Sequence, residues 1–244
     1  MKNRKNSVKL IASLTLASLF NVQSASSMGL RSFVALPVDL DGYVVRFSYE
    51  HLTGGDKDTF VTSAAYGFTH DKTLLFGIPY NTSSGHGDSF GDLSALYRHT
   101  ILQDDFFSGT SRLALLGGAI VPSDNERDPA VQAGFVYTFF EDRHEFDVDV
   151  LYQAGIDNRP DSGRYDASWQ YRLSPSLHPE WGIASELNTV AELNGRWKEG
   201  SGIIHQVTIG LQLVNPRWVI EGGIIKDINN VNDLSIILST RFHF

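Results

Sequence analysis

A catalytic serine needs a histidine within hydrogen-bond reach and a polar group to orient that histidine. The stretch His86-Gly87-Asp88-Ser89 offers these residue types, with Ser89 as the hydroxyl to be activated. It lies in a polar, turn-rich stretch, where a histidine among acids is ordinarily just solvated. Ser94 and His99 are an odd number of residues apart, so an extended chain points them to opposite sides. His205, like His99, falls on the outward side, and no His-x-Ser pair occurs. No catalytic residue is therefore assigned, and the chain is not expected to be an enzyme. His86, Asp88 and Asp92 are the donors a metal would take, but a lone loop histidine does not make a site. Neither a metal nor a cofactor is expected.

Charges that recur at every second residue are the stronger signal. In HEFDVDVLYQAG, Glu145, Asp147 and Asp149 share a side with Leu151 and Gln153, opposite Phe146, Val148, Val150, Tyr152 and Ala154. The next run sets Arg164, Asp166, Ser168, Gln170 and Arg172 against Tyr165, Ala167, Trp169, Tyr171 and Leu173. The same inward side collects Glu186, Glu192 and Arg196, and other runs add Arg46, Glu50, Arg217, Glu221, Asp233 and Arg241. Charges of both signs facing each other either form a paired network that fills an interior or line a path for a solute. A second inward set is small and apolar. It contains Val61, Leu75, Leu116, Ile120 and Val136, with Thr59, Ser63, Ala65, Gly77, Ala114, Gly118 and Gly134, and Arg112 as its one charge. That half suits a hydrophobic solute or packs a plug. The segment LRSFVALPVDL (30–40) is either such a plug or an extension of the first strand.

Elements of period two must position these residues. The N-terminus reads as a secretory leader: MKNRKNSVK is basic, LIASLTLASLF is apolar, and small residues follow. Residues 1–27 are assigned to it, with the cut between Ser24 and Met28. The leader takes four of the 20 Lys and Arg and none of the 28 Asp and Glu, leaving 16 against 28 and a net charge near −12. That balance argues against nucleic acid as a partner. Residues 28–41 follow as a periplasmic or lumenal segment, and 42–244 as one domain. Twelve alternating runs fall at about 42–52, 58–69, 72–81, 90–102, 110–122, 129–141, 143–155, 163–173, 182–197, 203–213, 216–227 and 231–244. Tight turns at HDK, EDR and NPR lie on one rim. TGGDKD, NTSSGHGDS, PSDNERDP, IDNRPDSG, KEGSG and DINNVND lie on the other, while LQDDFFSG and SPSLHPE are longer connections that spoil the split. The outward side is rich in aromatics near run ends, among them Tyr43, Tyr49, Phe60, Phe68, Tyr80, Phe139, Tyr165, Tyr171, Trp181, Trp197, Trp218 and Phe244. A soluble sandwich also alternates, but aromatic girdles and a leader favour a single antiparallel transmembrane β-barrel of about 12 strands, with 10 or 14 as alternatives. Its last strand, LSTRFHF, carries Phe242 and Phe244 outward.

AYGFTHDKTLLFGIPY (65–80), with Tyr66-Gly67, the HDK turn, Pro79-Tyr80 and then Gly91-Asp92, resembles the meta-pathway phenol-degradation, or transporter-like, family of outer-membrane proteins. LALLGGAIVPSD (113–124) and the closing Phe244 are similar to that family as well. The resemblance implies a barrel in the outer membrane of a Gram-negative bacterium, surrounded by its lipid, and passive passage of small hydrophobic or aromatic molecules. It also implies that the barrel assembly machinery reads the terminal aromatic strand, Phe242 and Phe244. The competing expectation is a plugged barrel whose exterior loops meet a partner.

Overall fold

The computed structural model describes residues 29–55, 57–83, 89–174, 185–229 and 233–244. The expected leader, His86, Asp88, Trp181 and most of SPSLHPE lie outside the described residues.

Among the described residues there are thirteen strands and no helix: β1 (Tyr43–Thr53), β2 (Lys57–Thr69), β3 (Lys72–Ser83), β4 (Ser89–Phe90), β5 (Leu93–Phe106), β6 (Gly109–Val121), β7 (Ala130–Glu141), β8 (His144–Gly155), β9 (Ser162–Arg172), β10 (Glu186–Lys198), β11 (Ile204–Asn215), β12 (Trp218–Asp227) and β13 (Leu234–His243). Twelve of them are long, and β4 is a two-residue piece lying on β3. Each long strand pairs antiparallel with its sequence neighbour, and β1 pairs with β13, from Val44 opposite His243 to Thr53 opposite Leu234. The sheet is therefore closed, as a barrel in lipid must be, because an open edge would leave backbone groups unpaired where no water can reach them. Period-two alternation explains both surfaces. Outside, Leu238 and Ile220 are each 55% exposed, amid many other large apolar side chains. Such a continuous apolar exterior is stable against lipid and not against water.

Two aromatic belts bound that exterior. Tyr43, Tyr66, Phe106, Phe139, Phe146, Trp169 and Tyr171 gather toward the tight turns, where Tyr43 stacks on Tyr66 at 4.8 Å and the Trp169 indole donates to His144 Nδ1 at 3.1 Å. Tyr80, Phe90, Tyr152 and Trp197 gather toward the longer loops. Amphipathic rings of this kind sit at membrane–water boundaries.

The rims differ from expectation in two places. LQDDFFSG is not a long connection. β5 continues to Phe106 and β6 begins at Gly109, so only Phe107 and Ser108 make the turn. A bulge between Thr100 and Leu102 inserts one residue, leaving Ile101 and Leu102 both exposed, and that lost alternation made strand look like loop. TGGDKD shrinks in the same way to residues 54–56, where Gly54 holds a φ of +94° that side chains disfavour. The start of β1 and the residue after β13 meet on the tight-turn rim, Tyr43 and Phe244 exchanging backbone bonds of 3.0 and 2.9 Å.

Candidate functional site

Residues 29–40 leave β1 at the tight-turn rim and run back inside the barrel. Leu30, Ser32, Val34 and Ala35 are buried there. An extended segment with no sheet partner needs other groups to satisfy its buried N–H and C=O groups, and the barrel wall supplies them. The Glu192 carboxylate accepts the Arg31 N–H at 3.2 Å and the Ser32 hydroxyl at 3.3 Å. Asp149 accepts the Phe33 N–H at 2.8 Å, Thr138 the Ala35 N–H at 2.8 Å and Thr73 the Val38 N–H at 3.2 Å. In the other direction, Arg46 donates to the Leu30 carbonyl, Arg98 to the Val34 carbonyl at 2.6 Å and Thr100 to the Ala35 carbonyl at 3.0 Å. The Arg164 guanidinium lies over the Phe33 ring at 4.1 Å. Leu30 fits over Gly210 and Gly223, where an added Cβ would come within 2.6 and 3.0 Å of its Cδ1. Gly67 of the Tyr-Gly motif makes room for the backbone at Val38 and Asp39, since a Cβ there would meet the Asp39 carbonyl oxygen at 2.2 Å.

The remaining inward charges bind one another. Glu221 is shared by Arg46 at 2.6 Å, Arg241 at 3.0 Å and Gln212 at 3.0 Å. Asp166 takes Arg196 at 2.7 Å and Asn194 at 2.7 Å, and Arg164 lies within 3.6 Å of both Asp149 and Asp166. Asp147 accepts from Thr138 at 2.6 Å and Gln170 at 3.1 Å, Glu145 accepts from Gln170 at 3.4 Å, and Arg172 pairs with Glu186 at 2.8 Å. Glu50 lies 3.7 Å from Arg31. Apart from Arg217 and Asp233, the inward charges thus contact one another, the neighbouring Thr138, Gln170, Asn194 and Gln212, or the N-terminal segment. Arg217 does not join them. It sits exposed in the turn between β11 and β12. Arg112 turns toward Asp105 at 3.4 Å.

Sequence reasoning missed the other half of the seat. Arg98, Thr73, Thr100 and Thr138 hold the segment, yet none had been singled out. Arg98 was legible: it shares parity with the inward Ser94 on β5. The threonines carried no signal, because their partners are backbone groups many residues away.

The apolar half divides. Leu116 and Val136 are fully covered, packed with Ala35, Leu96, Ala114 and Leu151. Val61, Leu75 and Ile120 instead border a cavity of about 680 Å³ that remains beside the segment. Its walls include Tyr43, His243 and Phe244 at the tight-turn rim and Glu50, Thr59, Asp92 and Arg159 toward the long-loop rim. Phe242 and Phe244 point outward, Phe244 being 68% exposed.

At the long-loop mouth Asp92 joins three connections. It accepts from Arg159 at 2.7 Å, from Arg127 at 3.1 Å and from the Ser123 N–H at 3.3 Å. Partial burial alone would raise its pKa, but the two arginines outweigh it and hold the carboxyl below its ordinary range. Asp92, one of the three donors considered for a metal, is thus committed to arginines. Ser89 is flanked by glycines in Gly87-Asp88-Ser89-Phe90-Gly91, the spacing of a nucleophile elbow. An elbow needs a strand-to-helix turn, whereas Ser89 and Phe90 pair with β3 and no helix follows among the described residues.

No protein-family model and no curated protein sequence matches the chain. Solved structures do match. The COG4313 outer membrane channel from Pseudomonas putida F1 superposes with a TM-score of 0.59 at 12% identity, over 86% of this chain and 98% of that one. The KdgM porin gives 0.53 at 10% identity over 82% and 99%, and the NanC porin 0.53 at 11% identity over 82% and 98%. The fold is that of an outer-membrane channel. At such identities the likeness reaches the barrel and its closure, and no individual side chain.

Proposed function

We propose that this protein is an outer-membrane channel of a Gram-negative bacterium for passive passage of small hydrophobic or aromatic molecules, of the meta-pathway phenol-degradation type. The observation that carries this reading is the cavity beside the N-terminal segment, whose walls reach from one rim to the other along the inward faces of β1, β2, β3, β5 and β6. A twelve-strand barrel is wider than the eight-strand kind that side chains fill, and narrower than a sixteen-strand pore. Residues 29–40 occupy one part of that width and the cavity occupies another. Its apolar wall suits solutes with little hydration to lose. The surrounding partners are outer-membrane lipid and, during biogenesis, the barrel assembly machinery.

The test is entry of solutes into liposomes carrying the folded barrel. Small neutral aromatics should enter faster than sugars of equal size, and Val61→Trp, which fills the cavity wall, should slow them. Entry of large hydrophilic solutes alone would replace this reading with a general porin. The plugged, partner-binding barrel is favoured by the number of bonds that seat residues 29–40. No entry of any solute, with or without residues 29–40, would establish it.

A further inference from the structure

The cavity wall is unequal in charge, and the inequality has a structural source. Glu192, Asp149, Asp166 and Glu221 are buried and do not border the cavity, because the N-terminal segment and the wall arginines cover them. Their arginine partners do border it: Arg46, Arg164, Arg196 and Arg241 all contribute to the wall, as does Arg31, whose guanidinium pairs with Glu50. Against these stand Glu50, Asp39 and, near the mouth, Asp92.

Arg98 goes further. It is 2% exposed and borders the same cavity, and its two terminal nitrogens donate to the Val34 carbonyl and the Thr73 hydroxyl. Both acceptors are neutral, its Nε has no hydrogen-bond partner, and no carboxylate pairs with it among the described residues. A buried cation with neutral partners keeps its field uncancelled at short range, where the dielectric is low. Leu75, Leu96 and Ile120 lie on the same wall as Arg98.

We infer that the lumen holds a binding site for small amphipathic carboxylates, with Arg98 and the neighbouring wall arginines facing the anionic head and the apolar wall facing an aromatic or short aliphatic body. The inference deepens the channel reading and rests on it. The chain carries a net charge of −8, which would repel such anions, so the selective step lies inside and not in steering from bulk. The site separates three molecules of one shape. Benzoate meets both the apolar wall and the arginines, benzyl alcohol only the wall, and benzylammonium the wall together with repulsion.

The experiment measures entry of these three probes into liposomes carrying the full-length folded barrel. One charge-assisted bond contributes about 1.5–3 kcal/mol, so benzoate should enter at least ~10-fold faster than benzylammonium. Arg98→Met should lower the ratio of benzoate to benzyl alcohol entry by a similar factor, while Arg98→Lys should restore part of that ratio. Because Arg98 also seats Val34, each variant is first checked for the gel migration of a folded barrel. The wild-type preference, and the reversal potential in a salt gradient, need no variant. Equal entry of benzoate and benzylammonium, or a cation-selective reversal potential, would overturn the inference while leaving the channel intact. Failure of all three probes to enter would sink both.

Discussion

Asp147 and Val148 are adjacent in β8 and face different solvents, one a buried polar network and the other lipid. Val148 lies opposite Tyr137 and Ala167 near the strand centre, so an arginine there meets the middle of the apolar band. Val148→Arg should destabilise the barrel by about 2–4 kcal/mol, read as a shift in its urea midpoint in lipid vesicles. Asp147→Ala removes the acceptor of Thr138 and Gln170 and should cost roughly 1–3 kcal/mol for the buried groups left unmade. A neutral outcome for Val148→Arg would reverse the assignment of faces. Alternation alone made this pair readable, because burial in a barrel follows parity. It could not rank the charges, since Glu192 and Asp149 act on the backbone of a distant segment as well as on other charges. Asp92 gives the pH-dependent counterpart at the mouth. Its pKa is held below 3.8, so its stabilisation is present above that pH and is lost as pH falls through the depressed value. Asp92→Asn imposes the loss at neutral pH. Trypsin should then cut after Arg127 several-fold faster, with cleavage after Lys198 as the unchanged reference.

At the scale of elements, the N-terminal segment is the part that the sequence left open. Its eleven residues read equally as plug and as strand, because nothing local decides where its backbone bonds go. The decision lies in groups far along the chain: Thr138, Asp149 and Glu192 stand 103, 116 and 161 residues from their partners in the segment. The strands were legible because their bonds go to sequence neighbours, except where the bulge at Thr100 broke parity and hid the end of β5. The seat also makes a prediction. Glu192→Ala leaves the Arg31 and Ser32 N–H groups without their acceptor, at about 1.5–3 kcal/mol for bonds to a charge, so the segment should leave the lumen roughly ten- to a hundredfold more often. Arg31 reports this directly. Trypsin cleavage after Arg31 should accelerate in Glu192→Ala while the heat stability of the barrel stays near wild type. Unchanged cleavage would mean that Leu30, held over Gly210 and Gly223, anchors the segment by packing alone.

For the whole molecule, closure is the property on which everything else depends, and it is completed by the last residue. Twelve runs could be counted in the sequence, but a count does not say that the sheet meets itself. The pairing of β1 with β13 does, and Phe244 supplies its final rung by exchanging two backbone bonds with Tyr43. Phe244 is 68% exposed and stands at the tight-turn edge of the cavity. Removing Phe244 therefore costs one rung and one interfacial ring from a ladder that runs to Thr53, and a folded barrel should tolerate that with little change in its melting behaviour. Assembly is a different matter, because the closing strand must be captured and paired before the barrel exists. An unclosed sheet exposes the edges of β1 and β13 to lipid and to other chains. Deletion of Phe244 should lower the yield of inserted protein in cells severalfold, while the same variant refolded from urea into detergent should melt close to wild type. Equal losses in both measurements would assign Phe244 to stability, and normal yield in cells would remove its role as an assembly signal.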